Sequence, residues 1–323
     1  MIVRVSDLQR DAILGAMKEI AFAHGAAGIS DADVRTIDAA GRIVLGAERV
    51  DLDGLDRASP EQLRGVMMSQ EDARSSVRVL AVMSLVDGQI DPAKTVLVAA
   101  YAAALGVDED YLRVLAEAAE GEVAAAGACM IRKNAASFPG IDSSGLVTDI
   151  MARFMPYRDG DDDPGLEARY LELAHLPVGT FGRAFADHFR DNGFAFPGNP
   201  AGLAEGFTTP HDSAHVLSGY STSQQGELCV STFIGAMHPD HPMGAEVLPV
   251  LFSWHLGIKL NEIAGSSTGA FEPRRFWTAW DRGAHATIDV VDESWDFWSA
   301  TTVELDELRS RWALPLPERD LLV

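Results

Sequence analysis

Two stretches of this chain look like copies of one another, and both read as helices. GISDADVRTIDAAGRIVLG (residues 28–46) and GQIDPAKTVLVAAYAAALG (residues 88–106) share Asp31 with Asp91, Ala39 and Ala40 with Ala99 and Ala100, and both terminal glycines. In each, an Asp-containing cap opens an amphipathic run of about fifteen residues and a glycine closes it. The surrounding residues, 5–136, are rich in Ala, Leu and Val at helical spacing with few strand-like alternations, which predicts an all-helical module. A break follows at residues 137–165, SFPGIDSSGLVTDIMARFMPYRDGDDDPG, whose Pro, Gly, Ser and Asp clusters read as an exposed linker with one short helix near 146–154. The expectation is therefore an all-α chain of two helical domains, residues 1–136 and 166–323, joined by a Gly/Pro/Asp-rich linker at 137–165.

The chemistry concentrates after that break. Eight of the nine histidines and all six tryptophans lie beyond Leu173. Within TPHDSAHVLSGYSTSQQGE (residues 209–227), Thr209 suits an N-cap, Pro210 the first helical position and Gly219 the residue past a C-terminus. At about 100° per residue His211, Asp212 and His215 project at about 0°, 100° and 40°, a fan that one ion can touch. After eleven more residues, Ser221, Thr222 and Ser223 offer a second cap, and a second helix carries Glu227 back towards the first. Two imidazoles and up to two carboxylates suit zinc or another transition ion. Other roles stand beside this one: Thr209 and Asp212 also fit a capping box, and the two histidines also fit partly buried positions of one helix. His238, His241, His255 and His285 lie outside the ligand spacing and read as satisfied or exposed side chains.

This segment resembles the coenzyme Q biosynthesis protein 4 family, whose signature is H-D-x-x-H, eleven residues, then E. The resemblance extends upstream to LAHLPVGTFGRAFADHFRDNGF (173–194) and more loosely to FEPRRFWTAWDRGAHATID (271–289) and LDELRSRWAL (305–314), but not to 238–260. It implies a divalent metal, zinc or alternatively iron, manganese or cobalt, on His211, Asp212, His215 and Glu227, the same residues serving catalysis. It also implies a polyprenylated benzoate-type precursor of a quinone, with oxidative decarboxylation and hydroxylation at C1, and as partners other quinone-biosynthesis enzymes and further copies of the chain. The alternative is a non-catalytic polyprenyl-lipid scaffold with the ion as a staple between helices. Four protein ligands would close a tetrahedral zinc site, whereas an octahedral ion would keep two open positions.

The second helical copy, with its Asp-Gly-x-Ile-Asp turn at 87–91, resembles the tellurite-resistance protein B-like domain, whose members often carry an acidic residue where this chain has Lys94. Asp87, Asp91, Asp108, Glu109 and Asp110 read as caps and first-turn acids, with a site for calcium or another cation as the lesser alternative, and a stress-response interaction protein is a third reading of the whole. The ladder of an EF-hand loop is missing, and the acidic run at 159–163 reads as a solvated turn.

A net charge of −22 disfavours nucleic acid and polybasic docking on anionic lipid. No charged-then-apolar leader opens the sequence and no apolar run approaches a span, so a cytoplasmic protein is expected, peripheral at the inner face of the membrane when it meets its precursor. Phe271, Phe276, Trp277, Trp280, Trp295, Phe297 and Trp298 fit either core packing or the wall of an apolar pocket, and the four tryptophans are the candidates for transient membrane contact. Cys129 and Cys229 are too far apart in sequence to suggest a disulfide framework and read as small buried residues.

Overall fold

The computed structural model describes residues 5–23, 28–261 and 265–322. Among these it is all-α, with sixteen α-helices and no strand. Helices α1 (Asp7–Ala21), α2 (Asp31–Ile43), α3 (Pro60–Val66), α4 (Gln70–Met83), α5 (Pro92–Leu105), α6 (Asp110–Ala119) and α7 (Val123–Ser137) come first. Next are α8 (Val147–Arg153), α9 (Pro164–Leu171), α10 (Phe181–Asn192), α11 (Glu205–Ser218) and α12 (Gln224–Met237), and finally α13 (Leu248–Trp254), α14 (Pro273–His285), α15 (Phe297–Ala300) and α16 (Leu305–Arg311). None of these helices is long and apolar enough to cross a membrane.

Two compact units form, and they divide the chain differently from the sequence-based boundaries. The first takes Met1–Met130 with Leu248–Asp281, the second Ile131–Val247 with Arg282–Val323. The stretch expected as a linker belongs to the second unit, because its apolar residues are buried there. Phe138, Ile141, Ile150 and Phe154 are core residues, and Phe138 and Phe154 meet the Phe207 ring edge-on at 4.8 and 5.1 Å. The short helix expected near 146–154 is present as α8, and Asp161 to Asp163 are exposed as expected of a solvated turn.

In the first unit the duplicated segments form α2 and α5. Ser30 caps α2 in a capping box with Asp33, and Asp91 caps α5, which ends on Gly106 in the left-handed conformation. The ammonium of Lys94 is fully buried, 3.1 Å from Asp33 Oδ1 and 2.9 Å from Asp87 Oδ2. Asp33 thus serves two masters, its other oxygen accepting from Ser30 N and Oγ. Glu109 receives the Arg78 guanidinium through two hydrogen bonds, at 3.1 and 2.7 Å, and His255 donates from Nε2 to Val86 O at 3.2 Å.

The tryptophans call for a correction. Trp277 and Trp280 are 0% exposed, packed on Phe276 and on each other, so they are core residues of the first unit and not a surface for lipid. Their spacing on α14 is that of a buried helix face, which no interfacial role is needed to explain. In the second unit Trp298 carries the Arg169 guanidinium 3.6 Å above its ring, and Trp295 packs edge-on against Trp312.

Breaking a buried ion pair from one side leaves uncompensated charge in the core, at a cost of about 3–5 kcal/mol. Lys94→Met should therefore lower the unfolding free energy of the intact chain by about that amount in urea titration, where a loss under 1 kcal/mol would mean that Asp33 and Asp87 gain little from the ammonium.

Candidate metal centre

Helix α11 begins one turn earlier than its sequence suggests. Ala204 is its N-cap residue, and Pro210, expected at the first helical position, lies inside it. Tertiary contacts hold the extra turn: the Tyr170 hydroxyl reaches both Glu205 Oε1 (2.8 Å) and Thr209 Oγ1 (2.6 Å), and Phe207 packs between Phe138 and Phe154. Thr209 is therefore not a cap. The end of α11 is as expected, at Gly219 with φ +81°. Ser223 then caps α12, its Oγ accepting from Gly226 N at 3.1 Å. Gly226 admits no larger residue, since a Cβ there would stand 1.9 Å from Ser221 O.

The hairpin of α11 and α12 brings His211, His215 and Glu227 together, with one ligand atom from each within 4.8 Å of the others. His211 Nε2 lies 3.4 Å from Glu227 Oε2 and His215 Nε2 lies 3.5 Å from Glu227 Oε1. Charge-assisted hydrogen bonds run at about 2.7–2.9 Å. Ligand atoms about 2.0–2.1 Å from one tetrahedral ion stand about 3.3–3.4 Å apart, so these separations suit donors spaced around a cation. The side chain of His215 is 1% exposed, and its Nδ1 faces the carbonyl of Tyr220 at 2.9 Å. A carbonyl only accepts, so Nδ1 carries a proton, and when the ring is neutral it is Nε2 that keeps the lone pair. The ring of His211 stacks on Phe207, centroids 5.2 Å apart.

Asp212 does not join the three. Its Oδ1 accepts from His188 Nε2 on α10 at 2.9 Å, and the His188 ring stacks on His215 at 5.3 Å. On the helical wheel Asp212 is about 60° beyond His215, which turns it to α10 instead of α12. It is neither the capping-box acid nor a member of the three-residue cluster; it buttresses the face of His215 through His188.

Burial alone would pull the His211 pKa down. The Glu227 carboxylate, with Asp212 and Glu246 adding to it, overcomes this and pushes it up to about 9. Burial works to raise Glu227, but His215 and His211 hold it below the usual carboxylate range. Glu246 is the reverse case: 2% exposed, it is pushed up to about 7 by burial, against the opposing pull of His211, Ser137, His238 and Asn134. It sits on a single π-turn, Met243–Val247, and accepts from Ser137 Oγ (3.1 Å) and Asn134 Nδ2 (3.3 Å). Such turns are frequent at functional sites.

His188 and Glu246 are the residues of this region that sequence spacing missed. His188 stands in α10 with no ligand-spaced neighbour, and Glu246 lies in the stretch to which the resemblance did not extend. Of the remaining histidines, His238 is buried and bonded through Nδ1 to Asp289 Oδ2 at 2.7 Å, and His241 is exposed. Both cysteines are free. In comparisons with known proteins no family model matches the chain, and no curated protein matches it either.

A divalent ion must displace the proton of His211, because only the neutral ring donates a lone pair. With that pKa at about 9, zinc binding at pH 7.5 should release close to one proton, and the release should fall towards zero as pH rises through 9. Calorimetric titration in buffers of different ionisation enthalpy checks this. His215→Ala should abolish the tight site in the same titration; unchanged affinity there would remove His215 from the ligand set.

Proposed function

We propose that the second unit is a metal centre in which His211, His215 and Glu227 hold a divalent ion, zinc being the best fit to two imidazoles and one carboxylate. The observation that carries this is the pair of 3.4 and 3.5 Å imidazole–carboxylate separations, together with a His215 tautomer set for ligation. Three protein donors, not four, make this an open site, the arrangement of catalytic and not structural zinc. The bound ion would supply Lewis acidity, polarising a phenol or carboxylate oxygen of a substrate.

The chain's own groups suit acid–base work beside it. Glu246, buried and hydrogen-bonded by Ser137 and Asn134, is poised to hold or give up a proton near neutral pH. His188 and Asp212 keep the His215 ring in place. The substrate class comes from the motif resemblance alone: a polyprenylated benzoate-type precursor of a quinone, changed at C1 by loss of its carboxyl group and, with an oxidant, hydroxylation. A reaction of that kind would occur with other enzymes of quinone biosynthesis, at a membrane surface where the prenyl tail resides.

Protein purified without chelator should contain close to one divalent ion per chain, and mass spectrometry of the same sample should detect a prenylated aromatic compound. An ion without such a compound would keep the metal centre and remove the substrate class; absence of any ion, with no uptake of added zinc, would remove the proposal.

A further inference from the structure

The carbonyl that fixes the tautomer of His215 belongs to a turn, and something must hold the turn. The last carbonyls of α11 have no partner within the helix and lie at the negative end of its dipole. Two arginines from the end of the second unit take them. Arg309 of α16 donates from Nε to Leu217 O at 3.0 Å and from Nη2 to Val216 O at 2.9 Å. Arg282 of α14, only 8% exposed, donates from Nη2 to Ser218 O at 2.9 Å and from Nε to Pro315 O at 3.1 Å. Its guanidinium also faces the Tyr220 ring at 5.1 Å and the Phe233 ring at 5.7 Å.

Arg282 therefore grips the turn at both ends, by the carbonyl of Ser218 and by the ring of Tyr220. Between them is Gly219, whose left-handed backbone gives the turn its direction and whose position has no side chain with which to brace it. The Tyr220 carbonyl is the acceptor for His215 Nδ1. A planar guanidinium with several fixed donors can hold a carbonyl and stack on a ring at once, which an ammonium cannot. Burying that charge is costly, and the hydrogen bonds found for it end on backbone carbonyls, so a role in shape is better served here than one in ion pairing.

We propose that Arg282 is a positioning residue of the metal centre: it holds residues 218–220 so that the Tyr220 carbonyl keeps the proton on His215 Nδ1 and Nε2 remains the donor facing Glu227. Arg309 fastens the helix end from which the turn departs. The inference rests on the reading of His211, His215 and Glu227 as a metal site, and it makes Arg282 and Arg309 part of that site although neither is a ligand.

The test uses the full chain loaded with zinc and labelled with ¹⁵N. In the parent protein the His215 Nδ1–H should give a downfield, slowly exchanging ring signal. Arg282→Met, which keeps the apolar stem, should lose or shift that signal and weaken zinc binding about 10–100-fold, the usual effect of removing an outer support. Arg282→Lys, which restores charge and one donor towards Ser218 O, should recover part of both and serves as the working variant should the Met variant not fold. A merely structural arginine would lower thermal stability while leaving the ring signal and the zinc affinity of folded protein unchanged in Arg282→Lys and Arg282→Met, and that result would overturn the proposal. Parent protein that binds no zinc would instead refute the metal centre itself, a separate and distinguishable failure.

Discussion

Everything in the second unit turns on one electrostatic demand: two imidazoles and a carboxylate share a largely buried point, and a positive charge must satisfy them. Without an ion the charge is the proton on His211, held there by Glu227 against the cost of burial. With one, both rings can be neutral donors. The local backbone serves this arrangement. Gly226 lets the start of α12 close against Ser221, Gly219 stops α11 just past His215, and Tyr220 returns a carbonyl to that ring. Around these sit the supports: His188 with Asp212 on one side of His215, and the two arginines on the helix end.

The first unit meets a similar demand by other means. Asp33 and Asp87 face an ammonium that belongs to the chain itself, on Lys94. This ammonium is fully buried and already taken by two carboxylates, so it holds helices together and faces no substrate. Histidine and glutamate in the second unit offer lone pairs that an exchangeable ion can use. A fixed cation suits structure, and an exchangeable one would suit chemistry, which is why function is proposed for the second unit.

Much of this was legible from residue order. Helical periodicity and the repeated segments announced an all-α chain, and the pattern of His211, His215 and Glu227 announced their convergence, because both depend on local spacing. What local spacing cannot carry is the choice between competing tertiary partners. Asp212 could cap, ligate or pair, and only the approach of α10 selects His188. Pro210 looked like a helix start until Tyr170 and two phenylalanines paid for another turn. The stretch at 137–165 looked like a linker because its turn residues outnumber its apolar ones, yet Phe138, Ile141, Ile150 and Phe154 are buried and anchor an otherwise largely exposed segment in the second unit. Trp277 and Trp280 fitted a membrane surface and a core equally well by sequence, and burial decides for the core. Arg282 and Arg309 gave no signal at all, since their partners are backbone carbonyls far away in the chain.

The most direct measurement is anomalous scattering from crystals of the full chain grown with zinc, with data on both sides of the zinc absorption edge. The account predicts one strong peak bonded to His211 Nε2, His215 Nε2 and Glu227, with His215 Nδ1 still on the Tyr220 carbonyl and Asp212 still on His188. A peak that recruits Asp212 away from His188 would contradict the three-donor site, and no peak between α11 and α12 would contradict the metal centre altogether.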